Sequence, residues 1–165
     1  MNSSFTIGGR FRAERWSADG RLLEVRLAKN GLTVPALNNV LEVYCRQQAN
    51  STWKIGLIDD ASFTELAADD TMGSHPGWIE NVDYSEGTRP LWGPGAASGQ
   101  VSINPFGVRF TMTATKTING LFLSSDAAKS GVAGLLFCTG SFDAPLLMEA
   151  SEICRTFYSL SAEGR

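Results

Sequence analysis

Residues 108–124 read VRFTMTATKTINGLFLS and set the class of fold. The first half alternates apolar residues with arginine and threonine, which is the period-two pattern of a strand with one buried face. The second half, residues 117–124, is apolar at neighbouring positions around Gly120. A strand that is apolar on both faces is covered on both sides. The sequence therefore predicts a central strand at 117–124, preceded by a half-buried strand at 108–114.

Strand signals recur on both sides of this stretch. Residues 5–14 alternate in the same way, and residues 23–27 set Leu23, Val25 and Leu27 against two charged residues. The Asp-Gly pair at 19–20 favours a tight turn between them, because it accepts positive φ at low cost. We therefore expect an N-terminal β-hairpin. Further short strands are predicted at 53–58, 78–84, 100–104, 134–141 and 152–161.

One helix is predicted, at about 35–48. Its proline at the start suits the first helical turn, and Leu37, Val40, Leu41 and Tyr44 repeat with the helical period. This repeat predicts an apolar stripe that faces inward. Most connections between strands are too short for parallel crossovers. The sequence therefore predicts a mainly β fold, an antiparallel β-sandwich or jelly-roll-like domain with an N-terminal hairpin and a single helix.

The length and composition indicate one folded domain. The chain has 165 residues, 43% hydrophobic and 19% charged, which excludes a disordered chain and a coiled coil. We expect residues 1–165 to form a single domain. Within it, residues 1–29 are predicted to form a hairpin or arm, and residues 30–165 the helix and the sandwich body.

The charge pattern narrows the classes of partner. The net charge is −3, so the chain lacks the basic excess that phosphate binding needs, and nucleic acid is not an expected partner. No stretch predicts a membrane span or a signal peptide, and we expect assembly in the cytoplasm. Residues 1–30 are rich in arginine, whereas residues 58–86 are acidic. This asymmetry suits contact between unlike surfaces of neighbouring copies, and a solvated strand face and loop explain it equally well.

The three cysteines, Cys45, Cys138 and Cys154, do not form a recognisable site. Their odd number and wide spacing argue against a disulfide framework, and no CxxC pair indicates zinc. Each is predicted to be a small buried apolar residue. We expect neither a metal nor a cofactor.

The single histidine is the only basis for a catalytic triad or dyad. His75 lies in a Ser-His-Pro-Gly turn, which is typical of a surface turn rather than of a catalytic base. The acidic pairs at 59–60 and 69–70 have the pattern of solvated loop residues. We therefore expect that the protein is not an enzyme, with a hydrolase built on His75 and a carboxylate as the weakest of three hypotheses.

Three motifs in the middle of the chain resemble a family of tailed-phage virion proteins. They are the tryptophan strand WKIGLI at 53–58, the turn DDTMGSHPGW at 69–78 and the loop YSEGTRPLWGPG at 84–95. The helix PALNNVLEVY and the strand GLFLS at 120–124 are also similar to that family, so the resemblance covers nearly the whole chain. Three features depart from that family: Pro35 stands where the family has glycine, residues 143–148 are more apolar than the polar turn usual there, and the first strand is rather basic.

The resemblance implies a capsid cement or decoration protein. Such a protein binds the outer surface of the major capsid lattice, stabilises the head, and lies on the exterior of the virion after assembly in the host cytoplasm. The implied partners are the major capsid protein and further copies of the chain, as a homodimer or homotrimer, with no nucleic acid and no membrane. The alternative is a head-fibre or tail-associated adhesion module that binds a host surface glycan or receptor.

Nine residues are the candidates for a partner interface. The predicted arm would reach a neighbouring subunit, while the tryptophans and the tyrosine of the motifs would form an aromatic platform in the adhesion alternative. Packing within the protein's own fold is the competing explanation for the motif residues. The candidates are Phe5, Arg10, Phe11, Arg12 and Trp16 in the arm, and Trp78, Tyr84, Arg89 and Trp92 in the motifs.

Overall fold

Two antiparallel five-stranded sheets form a β-sandwich in this computed structural model, which describes residues 5–164 and the side chains from residue 6 onward. Sheet I has the order β2-β1-β10-β6, with β7 also paired to β10, and sheet II has the order β3-β9-β8-β4-β5. The described elements are β1 (Phe5–Trp16), β2 (Leu22–Lys29), β3 (Gly31–Leu32), α1 (Val34–Arg46), β4 (Lys54–Asp59), β5 (Ile79–Asn81), β6 (Val101–Ile103), β7 (Val108–Thr111), β8 (Lys116–Ser124), β9 (Leu136–Met148) and β10 (Ile153–Gly164). The prediction of a mainly β, antiparallel fold with one helix and an N-terminal hairpin is confirmed.

Strand β8 is central, as its two apolar faces predict. It lies between β9 and β4 in sheet II. Leu121 and Leu123 face sheet I and belong to the main core, whereas Phe122 faces the opposite side. There the connection between β4 and β5 folds over sheet II and brings Trp78 to 5.1 Å from the Phe122 ring. Both faces of β8 are therefore buried, one by a sheet and the other by a long loop.

The N-terminal hairpin is part of the sandwich, so the prediction that it forms a separate arm is wrong. Strand β1 pairs with β2 as expected, but its other edge pairs with β10 along its whole length, from Phe5 opposite Gly164 to Trp16 opposite Ile153. Phe11 is fully buried, and its ring centroid lies 4.5 Å from that of Tyr158. The arm prediction failed because the partner strand is at the other end of the chain.

The apolar side of β2 faces outward. Ala28 lies opposite Phe11 and is buried, which leaves the alternate residues Val25 and Leu27 on the outer face, opposite Glu14 and Arg12. The alternation therefore identified a strand correctly but gave no guide to which of its sides is buried. The register with β1 decides this.

Helix α1 begins and ends where capping allows. The Thr33 hydroxyl accepts a hydrogen bond from the backbone N–H of Ala36 at 3.2 Å, and Pro35 occupies the first turn. At the other end Gln47 adopts a left-handed conformation, with φ of 54°. These are the usual N-cap and C-cap devices.

The predicted inward stripe of α1 is wrong. Leu37, Leu41 and Tyr44 are exposed, while Ala36 is buried and Val40 is half-buried against the core. The helix docks through its smaller residues, which allow the backbone to approach sheet II closely. The larger residues consequently form an exposed stripe that no described residue covers.

Strand β9 is longer than predicted because residues 143–148 continue it. Leu146 and Met148 are fully buried, whereas Pro145 and Leu147, which alternate with them, are exposed. The segment pairs with β8, from Leu146 opposite Ile118 onward. The apolar residues that depart from the family pattern therefore belong to a half-buried strand.

We predict that Gly120→Ala destabilises the fold by about 3 kcal/mol, as overpacking beside a backbone does. A Cβ at Gly120 would lie 2.2 Å from the backbone oxygen of Gly140 on β9, which cannot move without disturbing the sheet. A Cβ at Gly31, on β3 of the same sheet, meets no heavy atom within 4 Å. Gly31→Ala is therefore the matched control and leaves stability unchanged or slightly higher. Urea unfolding measures both, and equal stability of the two variants would contradict the packing described for β8.

The cysteines differ in reactivity. Cys138 and Cys154 are buried as predicted, and burial raises the pKa of each thiol to about 12. Cys45, near the end of α1, is exposed, so the prediction that it is buried is wrong. The expected buried environment would have required the helix stripe to face inward.

A thiol-labelling measurement follows from these positions. Near neutral pH, Ellman's reagent should modify Cys45 rapidly in the folded protein, because the two buried thiols are neither accessible nor ionised. In denaturant all three cysteines should react. In the folded protein, Cys45→Ser should abolish the rapid labelling and leave only the slow labelling of the two buried thiols. Rapid labelling that persists in this variant would show that a buried cysteine is accessible.

Candidate docking surface

The histidine turn is held together by its own aromatic residues. Trp78 is buried, and its indole N–H donates to the Asp70 carboxylate at 2.9 Å. The His75 ring stacks on the indole at 3.9 Å, and its Nδ1 lies 2.9 Å from the Trp78 carbonyl oxygen. The turn motif therefore forms a small internal cluster that closes the loop over sheet II.

Arg89 is the fixed point of the following loop. It is only 2% exposed, and its Nε and Nη2 each donate to the Glu80 carboxylate at 2.8 Å. Its guanidinium also donates to the Gly131 carbonyl at 3.0 Å and lies 5.2 Å from the centroid of the Phe122 ring. A bidentate, buried pair of this kind holds two loops to sheet II.

Tyr84 and Trp92 are buried at separate points of the core. The Tyr84 ring packs edge-on against Phe110 at 4.9 Å, and the Trp92 indole donates to the Tyr158 carbonyl oxygen at 3.1 Å. Burial, with a smaller contribution from the nearby Glu80 carboxylate, raises the pKa of the Tyr84 phenol well above its usual value. With Trp78 also buried, the predicted aromatic platform is not at the surface. The observed packing favours the explanation that these motif residues stabilise the protein's own fold.

One member of each acidic pair, Asp59 and Asp70, is buried rather than solvated as the sequence predicted, and is engaged in local hydrogen bonds. Asp59 accepts from the Asn81 side chain at 2.7 Å, and Asp70 accepts from Trp78 and from the backbone of Ala67. Among residues 5–164, no group of three or more His, Cys, Asp and Glu side chains is arranged to hold a metal ion. In the same residues no helix has the length and apolar character needed to cross a membrane.

One face of sheet I points away from the core of the sandwich. Because adjacent residues of β1 face opposite sides, Phe11 and Ala13 enter the core while the residues between and beside them point outward. The residues paired with these outward residues on β2 and β10, and those paired in turn on β6 and β7, point to the same side of the sheet. Together with the turn between β6 and β7, these side chains form a surface that we call the outer face. It consists of Arg10, Arg12, Glu14, Trp16, Val25, Leu27, Val101, Ile103, Phe106, Arg109, Ile153, Arg155 and Phe157.

Apolar side chains are unusually exposed on the outer face. At the β2 edge Leu27 is 60% exposed, and at the other edge Phe106 is 81% exposed, with Ile103 and Val101 of the neighbouring β6 also exposed. Single exposed apolar residues are common on monomers, whereas several of them on one face of a sheet indicate an interaction surface. This group therefore identifies the outer face as a candidate docking surface.

Arginines are interleaved with these apolar residues. The guanidinium carbons of Arg12 and Arg155 lie 5.3 and 5.5 Å from the centroid of the Phe157 ring. Glu14, which lies opposite Arg155 in the register, forms an ion pair with Arg12 and accepts a hydrogen bond from the Trp16 indole at 2.8 Å. Aromatic residues and arginine are the types enriched at the centres of protein interfaces.

The outer face carries unneutralised positive charge. Arg10 and Arg109 form no ion pair with any of the residues described. The one carboxylate in the middle of the surface, Glu14, is already paired with Arg12. The chain as a whole has a net charge of −3, so the positive charge is concentrated on one side. An acidic partner surface would be attracted to this side.

The five interface residues predicted in the arm divide into three groups. Arg10, Arg12 and Trp16 lie on the outer face, whereas Phe11 points into the core, because adjacent residues of a strand face opposite sides. The side chain of Phe5 lies outside the described residues. The sequence prediction missed Phe106 and Leu27, although an exposed aromatic residue is signalled by the Asn-Pro-Phe-Gly turn at 104–107.

A second apolar surface lies at the edge of the sandwich. A groove of about 690 Å³ runs between α1 and the loop at 91–94, lined by Val40, Trp53, Trp92 and other apolar residues. The exposed stripe of α1 lies beside this groove, and Leu41 in this stripe is 61% exposed. This side of the molecule has few charged residues, in contrast to the outer face.

Comparison with known proteins gives no family assignment. No protein-family model matches the chain, and no curated protein matches it. The function is therefore inferred from the outer face and from the resemblance of the motifs.

The buried pair of Arg89 and Glu80 provides a test of the role assigned to the loop motif. Glu80→Gln should destabilise the fold by about 3–5 kcal/mol, because it leaves a buried guanidinium without its main counter-charge. The matched control is Arg46→Ala, which removes the exposed ion pair with Glu42 on α1 and should change stability little. Thermal unfolding compares the two. If Glu80→Gln were as stable as the control, the ion pair would not be what holds the loops.

Proposed function

We propose that this protein is a virion structural protein, a cement or decoration protein that binds the outer surface of the major capsid lattice and stabilises the head. The family resemblance of the motifs supports this function. The observation that carries it is the outer face of sheet I, where exposed Leu27 and Phe106 lie among arginines. A monomeric domain gains nothing in its own stability from exposing such residues, whereas a docking surface requires them.

The outer face suits attachment to a large and regular surface. It is built on strands rather than on flexible segments, so little conformational freedom is lost when it binds. Arg12 and Arg155 are already stacked on Phe157. Arginines without a counter-charge would direct the domain towards acidic parts of the shell and fix its orientation there.

Stabilisation of the shell follows from the number of copies. Each copy contributes a contact of modest area, and simultaneous contact with neighbouring capsid subunits converts weak individual contacts into strong attachment. Self-association into a homodimer or homotrimer would increase this effect, because closed oligomers match the symmetry axes of the shell. No bond is made or broken in this mechanism.

The adhesion alternative has no comparable observation behind it. Its platform would consist of Trp78, Tyr84 and Trp92, and all three side chains are buried. A glycan or receptor would have to use other residues. The cement function is therefore the better supported of the two.

The proposal predicts that Leu27→Asp weakens binding to capsid shells that lack the protein by at least about tenfold, or ~1.4 kcal/mol. The substitution places a carboxylate within the apolar part of the outer face and, because Leu27 is exposed, leaves the fold intact. Leu41→Asp on α1 is the matched control, since the two leucines are 60% and 61% exposed. Co-sedimentation with purified shells measures the number of copies bound.

The outcomes are distinct. Reduced binding of Leu27→Asp with normal binding of Leu41→Asp supports the proposal. The reverse result would move the docking surface to α1 and reject the outer face. Failure of the wild-type chain to bind any shell, together with specific binding to a glycan array, would overturn the cement function in favour of adhesion.

A further inference from the structure

We propose that a cleft on the outer face binds an acidic peptide segment, with an apolar side chain held between Trp16 and Phe106 and flanking carboxylates bound by Arg109 and Arg155. The cleft has a volume of about 310 Å³, and Ile153 also lines it. This inference rests on the proposed function, because it assigns the chemistry of the partner that the outer face recognises.

One wall of the cleft is a turn that is held rigidly. Asn104 is buried, and its side chain donates to the Thr156 carbonyl oxygen at 3.2 Å while it accepts from the Tyr158 backbone N–H at 2.7 Å. Both contacts fix the start of the turn to β10. The exposed Phe106 ring is therefore presented on an anchored backbone.

Gly107 and Arg155 complete this wall. Gly107 has φ of +68°, and a Cβ there would lie 2.8 Å from Cζ of Phe157, so only glycine allows the turn to close against the sheet. The Nε and Nη2 of Arg155 both donate to the Phe106 carbonyl oxygen, at 2.9 and 2.5 Å. Arg155 thus secures the turn from the side of the cleft. An aromatic residue held in place before binding is what a binding hot spot requires.

The opposite wall is also fixed. The Trp16 indole N–H donates to the Glu14 carboxylate at 2.8 Å, which sets the orientation of the ring. Ile153 lies opposite Trp16 in the sheet and is half-buried between the two aromatic residues. The cleft therefore has an apolar floor and two aromatic walls, which is suited to a leucine or phenylalanine side chain.

The charged groups of the cleft lack a counter-ion. The Nε of Arg109 donates to the Thr111 hydroxyl at 3.2 Å, and this hydroxyl in turn donates to the Glu86 carboxylate at 3.0 Å. Arg109 itself forms no ion pair with a carboxylate of the residues described. The nearest carboxylate across the register, Glu14, is occupied by Arg12 and Trp16. The remaining N–H groups of the two guanidiniums lie beside an apolar cleft and provide a site for carboxylates.

An acidic peptide fits these features better than other anions. Nucleic-acid binding needs a basic excess, and the chain has a net charge of −3. An anionic membrane offers phosphates but no side chain of defined shape for an apolar cleft. A peptide segment supplies both the apolar anchor and the flanking carboxylates from one chain.

The test is an NMR titration of the full chain with a short peptide in which leucine and phenylalanine are flanked by glutamates. We expect saturable shifts at the backbone amide of Gly107 and the indole N–H of Trp16. A peptide with glutamine in place of each glutamate, and one with serine in place of each apolar residue, should bind at least about tenfold more weakly. Arg109→Gln and Phe106→Ser each remove one side chain of the cleft and should reduce the affinity by a similar factor. Both side chains are exposed, so neither variant should disturb the fold. Arg46→Gln on α1 should leave the affinity unchanged.

Several results would overturn the inference. These are the absence of shifts at the cleft, equal affinity for the glutamate and glutamine peptides, or shifts confined to α1 and its groove. Tighter binding at the cleft by a single-stranded oligonucleotide or by phosphatidylserine vesicles would also reject a peptide ligand. The titration uses no shells, so its result is independent of the test of the proposed function. Normal attachment to shells with no response to the peptide rejects only the peptide site in the cleft. A specific response to the peptide with no attachment to shells rejects only the cement function.

Discussion

The pairing of β1 with β10 is the constraint on which the rest of the structure depends. It joins the two ends of the chain in an unbroken antiparallel register from Phe5 opposite Gly164 to Trp16 opposite Ile153. All three other strands of sheet I attach to this pair, β2 to β1 and β6 and β7 to β10. Closing so long a loop is slow and entropically unfavourable, so the burial of Phe11 and Tyr158 has to offset it. The sandwich therefore forms as a whole rather than by adding an independent hairpin to a finished body.

The same register produces the outer face. Each residue that β1 sends into the core leaves its neighbour on the opposite side of the sheet, so the burial of Phe11 and Ala13 in the core places Arg12 and Glu14 on the outer face. The two sheets are covered unequally, because a long loop carrying Trp78 closes over sheet II while no described residue covers the outer face of sheet I. A sandwich with one loop-covered side and one bare, arginine-rich side is suited to lie flat on another surface. The proposed docking function follows from this asymmetry.

The sequence predicted most strands and the fold class because period-two alternation is a local property. It could not predict the burial of β2 or the orientation of α1, since both depend on partners distant in the chain. Leu27 faces outward because Ala28 lies opposite Phe11, and Leu41 faces outward because Ala36 lets the helix approach sheet II. The candidate site was predicted only in part for the same reason. Alternation placed Arg10 and Arg12 on one side of a strand, but Phe106 and Arg155 come from segments that only the tertiary fold brings together.

The most direct test of the account is residue-resolved carbene footprinting of the protein free in solution and bound to capsid shells. This measurement compares the accessibility of individual side chains without altering any of them. If the protein docks through the outer face, labelling of Leu27, Ile103 and Phe106 decreases when the protein is bound to shells, while labelling of Leu41 and Tyr44 stays the same. Unchanged labelling of the outer face, or protection confined to α1, would contradict the claim that this protein docks through the bare side of sheet I.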